Sequence, residues 1–204
     1  MMLKHRGARQ QRGSSALEMA CCLPPLVLIL CAAIDYSWLA VAQHQMAHAA
    51  RSASRYGITG QADVPIGAAP ALVPLCTDSG GIGHSARLDR IRAIIAAEAG
   101  GVLKLAQLCL TVGAYAGYQG VGRPEPLADI NGNGRQDPGE AFTDINGNGV
   151  WDADQATPSP GSADTVAVYT LRYLAPPVTG ITPGLTADRL VSLQTRMVVR
   201  NEPF

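Results

Sequence analysis

The run Met19-Ala-Cys-Cys-Leu-Pro-Pro-Leu-Val-Leu-Ile-Leu-Cys-Ala-Ala-Ile34 decides how this chain is organised, because its sixteen residues include no charged side chain. An α-helix rises ~1.5 Å per residue, so this run spans roughly 24 Å, less than the ~30 Å hydrocarbon core of a bilayer. Continuing the helix through Ala42 lengthens it to about 36 Å, which suffices for one crossing. The sequence therefore predicts a single-pass membrane helix inserted in the lipid bilayer.

The charges that flank this run set its expected orientation. Every charged side chain before Glu18 is basic, namely Lys4, Arg6, Arg9 and Arg12. Basic residues beside a membrane helix stay on the cytoplasmic side. We therefore expect a cytoplasmic N-terminus and a C-terminal head on the outer side of the membrane. In a bacterium this places the chain in the inner membrane, with its head in the periplasm or beyond.

The composition argues against two broad functions. The chain has 204 residues, and its 16 Lys and Arg balance 16 Asp and Glu, but residues 125–164 carry eight acids and one base, Arg135. Beyond the short N-terminal run there is no basic footprint and no aromatic and basic interleaving, so nucleic-acid binding is not expected. No nucleophile elbow, P-loop or zinc-ligand spacing occurs, and the four His residues are scattered, so we do not expect an enzyme.

The segment Arg12-Gly-Ser-Ser-Ala-Leu-Glu18 resembles a type IV prepilin processing site. The resemblance implies that residues 1–13 are a leader, that a prepilin peptidase cuts after Gly13, and that Ser14 becomes the new N-terminus. Glu18 is then the fifth residue of the mature chain. A carboxylate at the edge of hydrocarbon needs a partner. In pilin-type assembly that partner is the N-terminal amine of a neighbouring subunit.

Two other processing routes remain open. An ordinary secretory signal peptide would end at Ala40-Val41-Ala42 and be cut before Gln43. Against it stand the acidic residues Glu18 and Asp35 and a length beyond the usual ~15 to 30 residues. The second alternative is an anchor that is never cleaved.

The pattern stays helical after the apolar run. Alanines continue to Ala53 without Gly or Pro, and Arg51 and Arg55 suit a helix C-terminus, so residues 14–56 are predicted to form one transmembrane and stalk helix. Pro24 and Pro25 predict a kink or local unwinding, or are simply tolerated within the membrane.

The combined pattern resembles the TadE-like family, the minor pseudopilins of tight-adherence (Flp-type) pilus systems. It consists of G-x-x-A-L-E-M-A-x-x-L-P from Gly13 to Pro24, then Asp35, Gln43 and Ala49-Ala50-Arg51-x-x-x-Arg55. The ending Arg200-Asn-Glu-Pro203 is also similar. The resemblance implies a pilus assembly component whose partners are other pseudopilins and a prepilin peptidase, located at the cell surface once assembled.

Residues 57–204 are predicted to form an α+β head, in which a helix packs on a small antiparallel sheet. Ser85 can cap a helix that ends at Ala99 before Gly100-Gly101, and Arg87, Arg90 and Arg92 are expected on its solvated face. Alternating apolar residues predict strands over Leu108–Gly113, Thr165–Tyr173 and Val191–Arg200. In an oxidising compartment Cys76 and Cys109 could pair; the alternative is two unpaired, small apolar side chains.

The strongest chemical signal is a duplicated loop within residues 125–157. Oxygen ligands at positions 1, 3, 5, 7, 9 and 12, with Gly at position 6, surround a cation of Ca²⁺ size. In loop one, residues 129–140, these positions hold Asp129, Asn131, Asn133, the Arg135 carbonyl, Asp137 and Glu140. In loop two, residues 144–155, positions 1, 3, 5, 7 and 9 hold Asp144, Asn146, Asn148, the Val150 carbonyl and Asp152.

Loop two lacks a carboxylate at its position 12, which is Gln155. We therefore expect a weaker second site, or one that uses Asp154 or borrows a carboxylate from loop one. The loops leave no room for flanking helices, so the two Ca²⁺ ions are expected to order the head and not to drive a calmodulin-like switch. The alternative to a pseudopilin is a calcium-dependent adhesin, anchored or secreted, that never joins a filament.

Overall fold

A computed structural model describes residues 10–58, 71–77, 85–182, 185–186 and 190–203 of the chain. In order, the elements are α1 (Gln10–Ile58), α2 (Ala86–Ala99), β1 (Leu108–Tyr115), β2 (Val166–Ala175), β3 (Ile181–Thr182), β4 (Leu185–Thr186) and β5 (Val191–Arg200). Strands β1, β2 and β5 form an antiparallel sheet in the order β1-β2-β5, and β3 and β4 pair separately. The predicted α+β fold, with one long N-terminal apolar helix, is confirmed.

Helix α1 is longer than predicted at both ends. It begins at Gln10, inside the predicted leader, and ends at Ile58, two residues beyond Tyr56. It continues through Pro24 and Pro25, so the local unwinding that these prolines suggested does not occur. Residues 1–9 of the leader lie outside the described part of the chain.

The chain divides into two compact units. The first comprises Met1–Val41 and Ala175–Val191, and the second comprises Ala42–Leu174 and Ser192–Phe204. In the first unit the carboxylate of Asp35 is fully buried. It accepts hydrogen bonds from the backbone N–H groups of Val178 and Thr179, both at 2.8 Å, and from the Thr179 hydroxyl at 2.5 Å. This charged residue of the apolar helix therefore holds the segment that follows β2.

The second unit contains the sheet and its core. Strands β1 and β2 pair from Leu108 opposite Tyr173 to Tyr115 opposite Val166. Strand β1 runs two residues beyond its predicted end at Gly113, because Ala114 and Tyr115 still pair with β2. Ala114 also exchanges two backbone hydrogen bonds with Thr157, at 2.8 and 2.9 Å. The strands predicted over Thr165–Tyr173 and Val191–Arg200 correspond to β2 and β5.

The last part of α1 belongs to the core of this second unit. Its buried side chains are Ala42, Met46, Ala49, Ala50 and Ala53, and the core also includes Leu88, Ile91 and Ile95 of α2 and Leu110, Tyr169 and Leu171 of the sheet. Gln45 donates a side-chain hydrogen bond to the Glu98 carbonyl of α2 at 2.7 Å, and Gln43 donates one to the Gln194 carbonyl of β5 at 3.0 Å. The sequence had assigned this part of the helix to a stalk.

Helix α2 begins as predicted, with the Ser85 hydroxyl accepting from the Leu88 N–H at 3.2 Å. The expectation that its arginines form a solvated face is wrong for Arg87, which is 8% exposed. It is also wrong for Arg92, whose side chain is 13% exposed and donates to the Val73 carbonyl at 2.7 Å. Arg87 donates to the Gly57 carbonyl, to the Gly161 carbonyl at 3.0 Å and to the Asn201 side-chain oxygen at 3.1 Å. The last carbonyls of a helix have no N–H partner within the helix, and the N–H groups of a guanidinium can donate to them. Arg87 does this for the Gly57 carbonyl near the end of α1.

Two residues after β5 add to the hydrogen bonds at the end of α1, Asn201 through Arg87 and Glu202 directly. Asn201 is 2% exposed and donates its amide to the carbonyls of Pro160 and Ser162, at 3.1 and 2.9 Å. The N–H of Glu202 donates to the Ile58 carbonyl at 3.0 Å. The segment that follows β5 thus caps the end of α1.

Cys76 and Cys109 form a disulfide, with an S–S distance of 2.01 Å. It fastens residues 74–76 to the edge of β1, where the Cys76 N–H donates to the Leu110 carbonyl at 3.1 Å and the Leu110 N–H donates to the Pro74 carbonyl at 3.0 Å. Of the two alternatives that the sequence left open, the structure contains the bonded pair.

Candidate functional site

The duplicated loop lies between β1 and β2, and loop one is built around Asp129. Its Oδ1 accepts from the N–H groups of Gly132 and Asn133, at 2.7 and 3.2 Å, and its Oδ2 accepts from the N–H of Gly134 at 2.7 Å. The bond from Gly134 contributes most to holding the pKa of Asp129 below its usual value. Gly134, the predicted position-6 glycine, has φ of 70°, a conformation that L side chains rarely adopt.

Glu140 closes loop one. Its Oε1 accepts from the N–H of Ile130, and its Oε2 accepts from the N–H of Asp137, both at 2.9 Å. Ile130 and Asp137 occupy positions 2 and 9 of the loop, so the carboxylate at position 12 joins its two ends. The side chain is 8% exposed.

The two asparagines of loop one face Asp137. The side-chain nitrogens of Asn131 and Asn133 donate to Asp137 Oδ2, at 2.6 and 2.8 Å. In this arrangement no three acidic, His or Cys side chains in the described ranges form a group that could hold a metal ion. The donor set still fits Ca²⁺, because the carboxylates and amide oxygens are hard ligands and each amide oxygen has a second lone pair.

Loop two repeats these contacts bond for bond. Asp144 accepts from the N–H groups of Gly147 at 2.6 Å, Asn148 at 3.3 Å and Gly149 at 2.8 Å. The side-chain nitrogens of Asn146 and Asn148 donate to Asp152 Oδ2, at 2.7 and 2.6 Å. Two loops of the same sequence pattern therefore have the same local structure.

Neither of the residues at the end of loop two closes it. The Gln155 amide donates to the Gly120 carbonyl at 3.0 Å. Asp154, which the sequence offered as a substitute, accepts from the Tyr115 hydroxyl at 2.9 Å. Burial foremost, followed by this hydrogen bond, raises the pKa of Tyr115 to about 12.

In loop two, Glu125 makes the contacts that Glu140 makes in loop one. Its Oε1 accepts from the N–H groups of Ile145 and Asn146, at 2.7 and 3.3 Å, and its Oε2 accepts from the N–H of Asp152 at 3.1 Å. A carboxylate borrowed from loop one was one of the alternatives that the sequence left open, but Glu125 lies four residues before that loop and was not identified. The available signal was the repeat itself, which begins four residues before Asp129 and includes Glu125 and Glu140 at equivalent positions.

Backbone contacts join the short segments that precede the two loops. Leu127 and Phe142 form an antiparallel bridge, flanked by hydrogen bonds from the Ala128 N–H to the Ala141 carbonyl at 2.8 Å and from the Thr143 N–H to the Pro126 carbonyl at 2.9 Å. The Trp151 indole donates to the Glu125 carbonyl at 3.0 Å. The loops thus form one connected unit.

The second functional region is the N-terminal part of α1. Gly13 and Ser14 lie within the helix, and Glu18 is exposed one turn after Ser14. Large apolar side chains are exposed along it, among them Leu17 at 71%, Ile29 at 68% and Leu26 at 59%. The helix is long and apolar enough to cross a membrane and is compatible with a single-pass anchor.

Comparison with known families agrees with this geometry. The model of the family described as TadE-like protein matches residues 13–55, which lie within α1. The resemblance predicted from the sequence is thereby confirmed for this segment. It indicates a component associated with a tight-adherence pilus, working with other pilus assembly components. No curated protein and no solved structure gives a significant match to the chain.

Proposed function

We propose that this chain is a minor pseudopilin, or a closely associated assembly component, of a tight-adherence pilus system. In this proposal α1 anchors it in the inner membrane with the head in the periplasm. The observation that carries the proposal is the TadE-like match over residues 13–55, which begins at Gly13, the residue before the proposed cut, and covers the apolar helix.

Processing and assembly follow from three residues at the start of α1. Cleavage after Gly13 by a prepilin peptidase gives Ser14 a free amine, and Glu18 lies one helical turn further on. A carboxylate that enters hydrocarbon without a partner is costly. The exposed side chain of Glu18 suits an ion pair with the N-terminal amine of a neighbouring pseudopilin, which would hold subunits in register.

Two Ca²⁺ ions order the head in this proposal. Residues 125–164 carry eight acidic side chains and one basic one, so bound cations would offset their mutual repulsion. Ca²⁺ accepts the irregular oxygen set of these loops, whereas Mg²⁺ requires near-ideal octahedral geometry and retains water. The ions would contribute to stability through the free energy of binding to the folded state.

The N-terminal sequence of the mature protein, recovered from its native cell envelope, tests the processing step. We expect it to begin at Ser14. A start at Gln43 would indicate a secreted calcium-binding domain, and an intact Met1 or Met2 would indicate an uncleaved anchor and favour the adhesin alternative. A Gly13→Val chain should remain unprocessed, whereas Gly7→Val, a matched change within the leader, should be processed normally.

A further inference from the structure

We propose that Glu125 is the carboxylate ligand that completes the second calcium site, so that each of the two repeats supplies the closing glutamate of the other repeat's loop. This inference rests on the proposed binding of Ca²⁺ and names a ligand that lies outside both loops.

The first argument is the equivalence of Glu125 and Glu140. In each carboxylate one oxygen accepts a hydrogen bond from the N–H at position 2 of a loop, and the other oxygen accepts one from the N–H at position 9. For Glu140 the distances are 2.9 and 2.9 Å, and for Glu125 they are 2.7 and 3.1 Å. A position-12 glutamate in a calcium loop presents both oxygens to the ion. Glu125 therefore stands in loop two where the ligand Glu140 stands in loop one.

The second argument is burial. Glu125 is 1% exposed, and no Lys, Arg or His in the described ranges forms an ion pair with its carboxylate. Burying an ionised carboxylate is costly unless hydrogen bonds and an opposite charge compensate for it. Three backbone N–H groups supply hydrogen bonds but carry no net charge. A divalent cation among Glu125, Asp144 and Asp152 would supply that charge.

The third argument comes from the order of the repeats. Each repeat reads E-x-x-x-D-I-N-G-N-G-x-x-D, from Glu125 to Asp137 and from Glu140 to Asp152. Glu140 opens the second repeat yet closes loop one, and Glu125 opens the first repeat yet closes loop two. The exchange is reciprocal, and the bridge between Leu127 and Phe142 lies at its centre.

One consequence is that neither repeat contains a whole site. Loop two cannot gain its closing carboxylate unless the first repeat is in place beside it. The sequence predicted a weaker second site because position 12 of loop two is the neutral Gln155. With Glu125 as a ligand, the two sites instead have three carboxylates each. These are Asp129, Asp137 and Glu140 in the first site, and Asp144, Asp152 and Glu125 in the second.

Isothermal titration of the full chain in detergent micelles with Ca²⁺ tests the inference. We expect two ions per chain for the wild type. The isosteric Glu125→Gln should retain one ion with little change and weaken the other by more than about 10-fold, because a charged ligand is lost. The matched control is Asp154→Asn, which removes a carboxylate at the other end of loop two and should leave both affinities unchanged.

A second measurement identifies which loop is affected. Tb³⁺ luminescence excited through Trp151, which lies in loop two, should be lost in Glu125→Gln and retained in Glu140→Gln. Loss in Glu140→Gln with retention in Glu125→Gln would overturn the inference, as would two unchanged sites in Glu125→Gln. Absence of Ca²⁺ binding in the wild type would instead refute the calcium proposal itself.

Discussion

The guanidinium of Arg87 donates a hydrogen bond to the side-chain oxygen of Asn201 at 3.1 Å, although 114 residues separate them. Both side chains are almost fully buried, and together they contact backbone carbonyls from the end of α1 and from residues 160–162. They form a polar cluster inside the head, in which every donor of Asn201 is used.

Removal of the Asn201 side chain should destabilise the head. In Asn201→Ala the Pro160 and Ser162 carbonyls lose the donor that Asn201 supplies, and Arg87 loses one of its three acceptors. Each buried group left unsatisfied costs about 1–3 kcal/mol. We expect a clear drop in the thermal midpoint followed by near-ultraviolet circular dichroism. Arg200→Ala, which removes an exposed ion pair with Asp164, should change the midpoint little. An equal drop in both variants would contradict the role assigned to Asn201.

Gly57 should not tolerate a larger side chain. A Cβ there would overlap the Tyr169 hydroxyl and lie 3.0 Å from the ring carbon that bears it. We expect Gly57→Ala to destabilise the head by about 1–3 kcal/mol, the usual cost of overpacking. Gly101→Ala meets nothing within 4 Å and serves as the control. Adding Tyr169→Phe should recover part of the loss, and a failure to do so would place the strain elsewhere.

The hydrogen bonds to Asp35 should control the exposure of the segment after β2. In Asp35→Ala the N–H groups of Val178 and Thr179 lose their acceptor. Hydrogen exchange at these two amides should therefore accelerate, as measured by mass spectrometry on the protein in micelles. Ser37→Ala, which removes a bond to the Ala33 carbonyl within the same helix, should leave them protected.

Glu18 should be needed for assembly and not for insertion. Glu18→Ala makes the start of the apolar helix less costly to bury, so the protein should still fractionate with the membrane. Its recovery with partner subunits after crosslinking should fall sharply. Met19→Leu, a neighbouring apolar exchange, is the control. Normal assembly of Glu18→Ala would remove the pilin-type role of this carboxylate.

Calcium should protect the paired loops from proteases. Limited proteolysis should cut within residues 125–157 far faster in EGTA than in Ca²⁺, and Mg²⁺ should protect poorly. Asp129→Ala and Asp144→Ala should each be cut faster in Ca²⁺, whereas Glu98→Gln on α2 should behave as the wild type. Identical cleavage with Ca²⁺ and EGTA would count against the assignment.

Local patterns predicted much of this structure. The apolar run determines α1, the Ser85 cap begins α2, and alternation of apolar residues locates β2 and β5, because each depends on neighbours in sequence. The ligand pattern of loop one could be predicted for the same reason, because all its positions lie within twelve consecutive residues.

Two features depend on distant groups and were not predicted. Arg87 is polar and was assigned to a solvated face, yet its partners are carbonyls at Gly57 and Gly161. Glu125 lies outside the twelve-residue pattern, and its contacts belong to a loop that begins nineteen residues later at Asp144. Both side chains are polar and buried. The sequence shows that they are polar, but it does not show the distant hydrogen-bonding partners that offset the cost of burying them.

The hydrogen bond from Glu202 to the end of α1 also bears on the order in which the chain completes its fold. Helix α1 is synthesised first, and the Ile58 carbonyl at its end meets its donor, the N–H of Glu202, only after β5 and the residues that follow it have been made. Until then water must satisfy that carbonyl. Proteases and chaperones would therefore encounter each nascent molecule in a form that differs from the finished one at the same place, the end of α1.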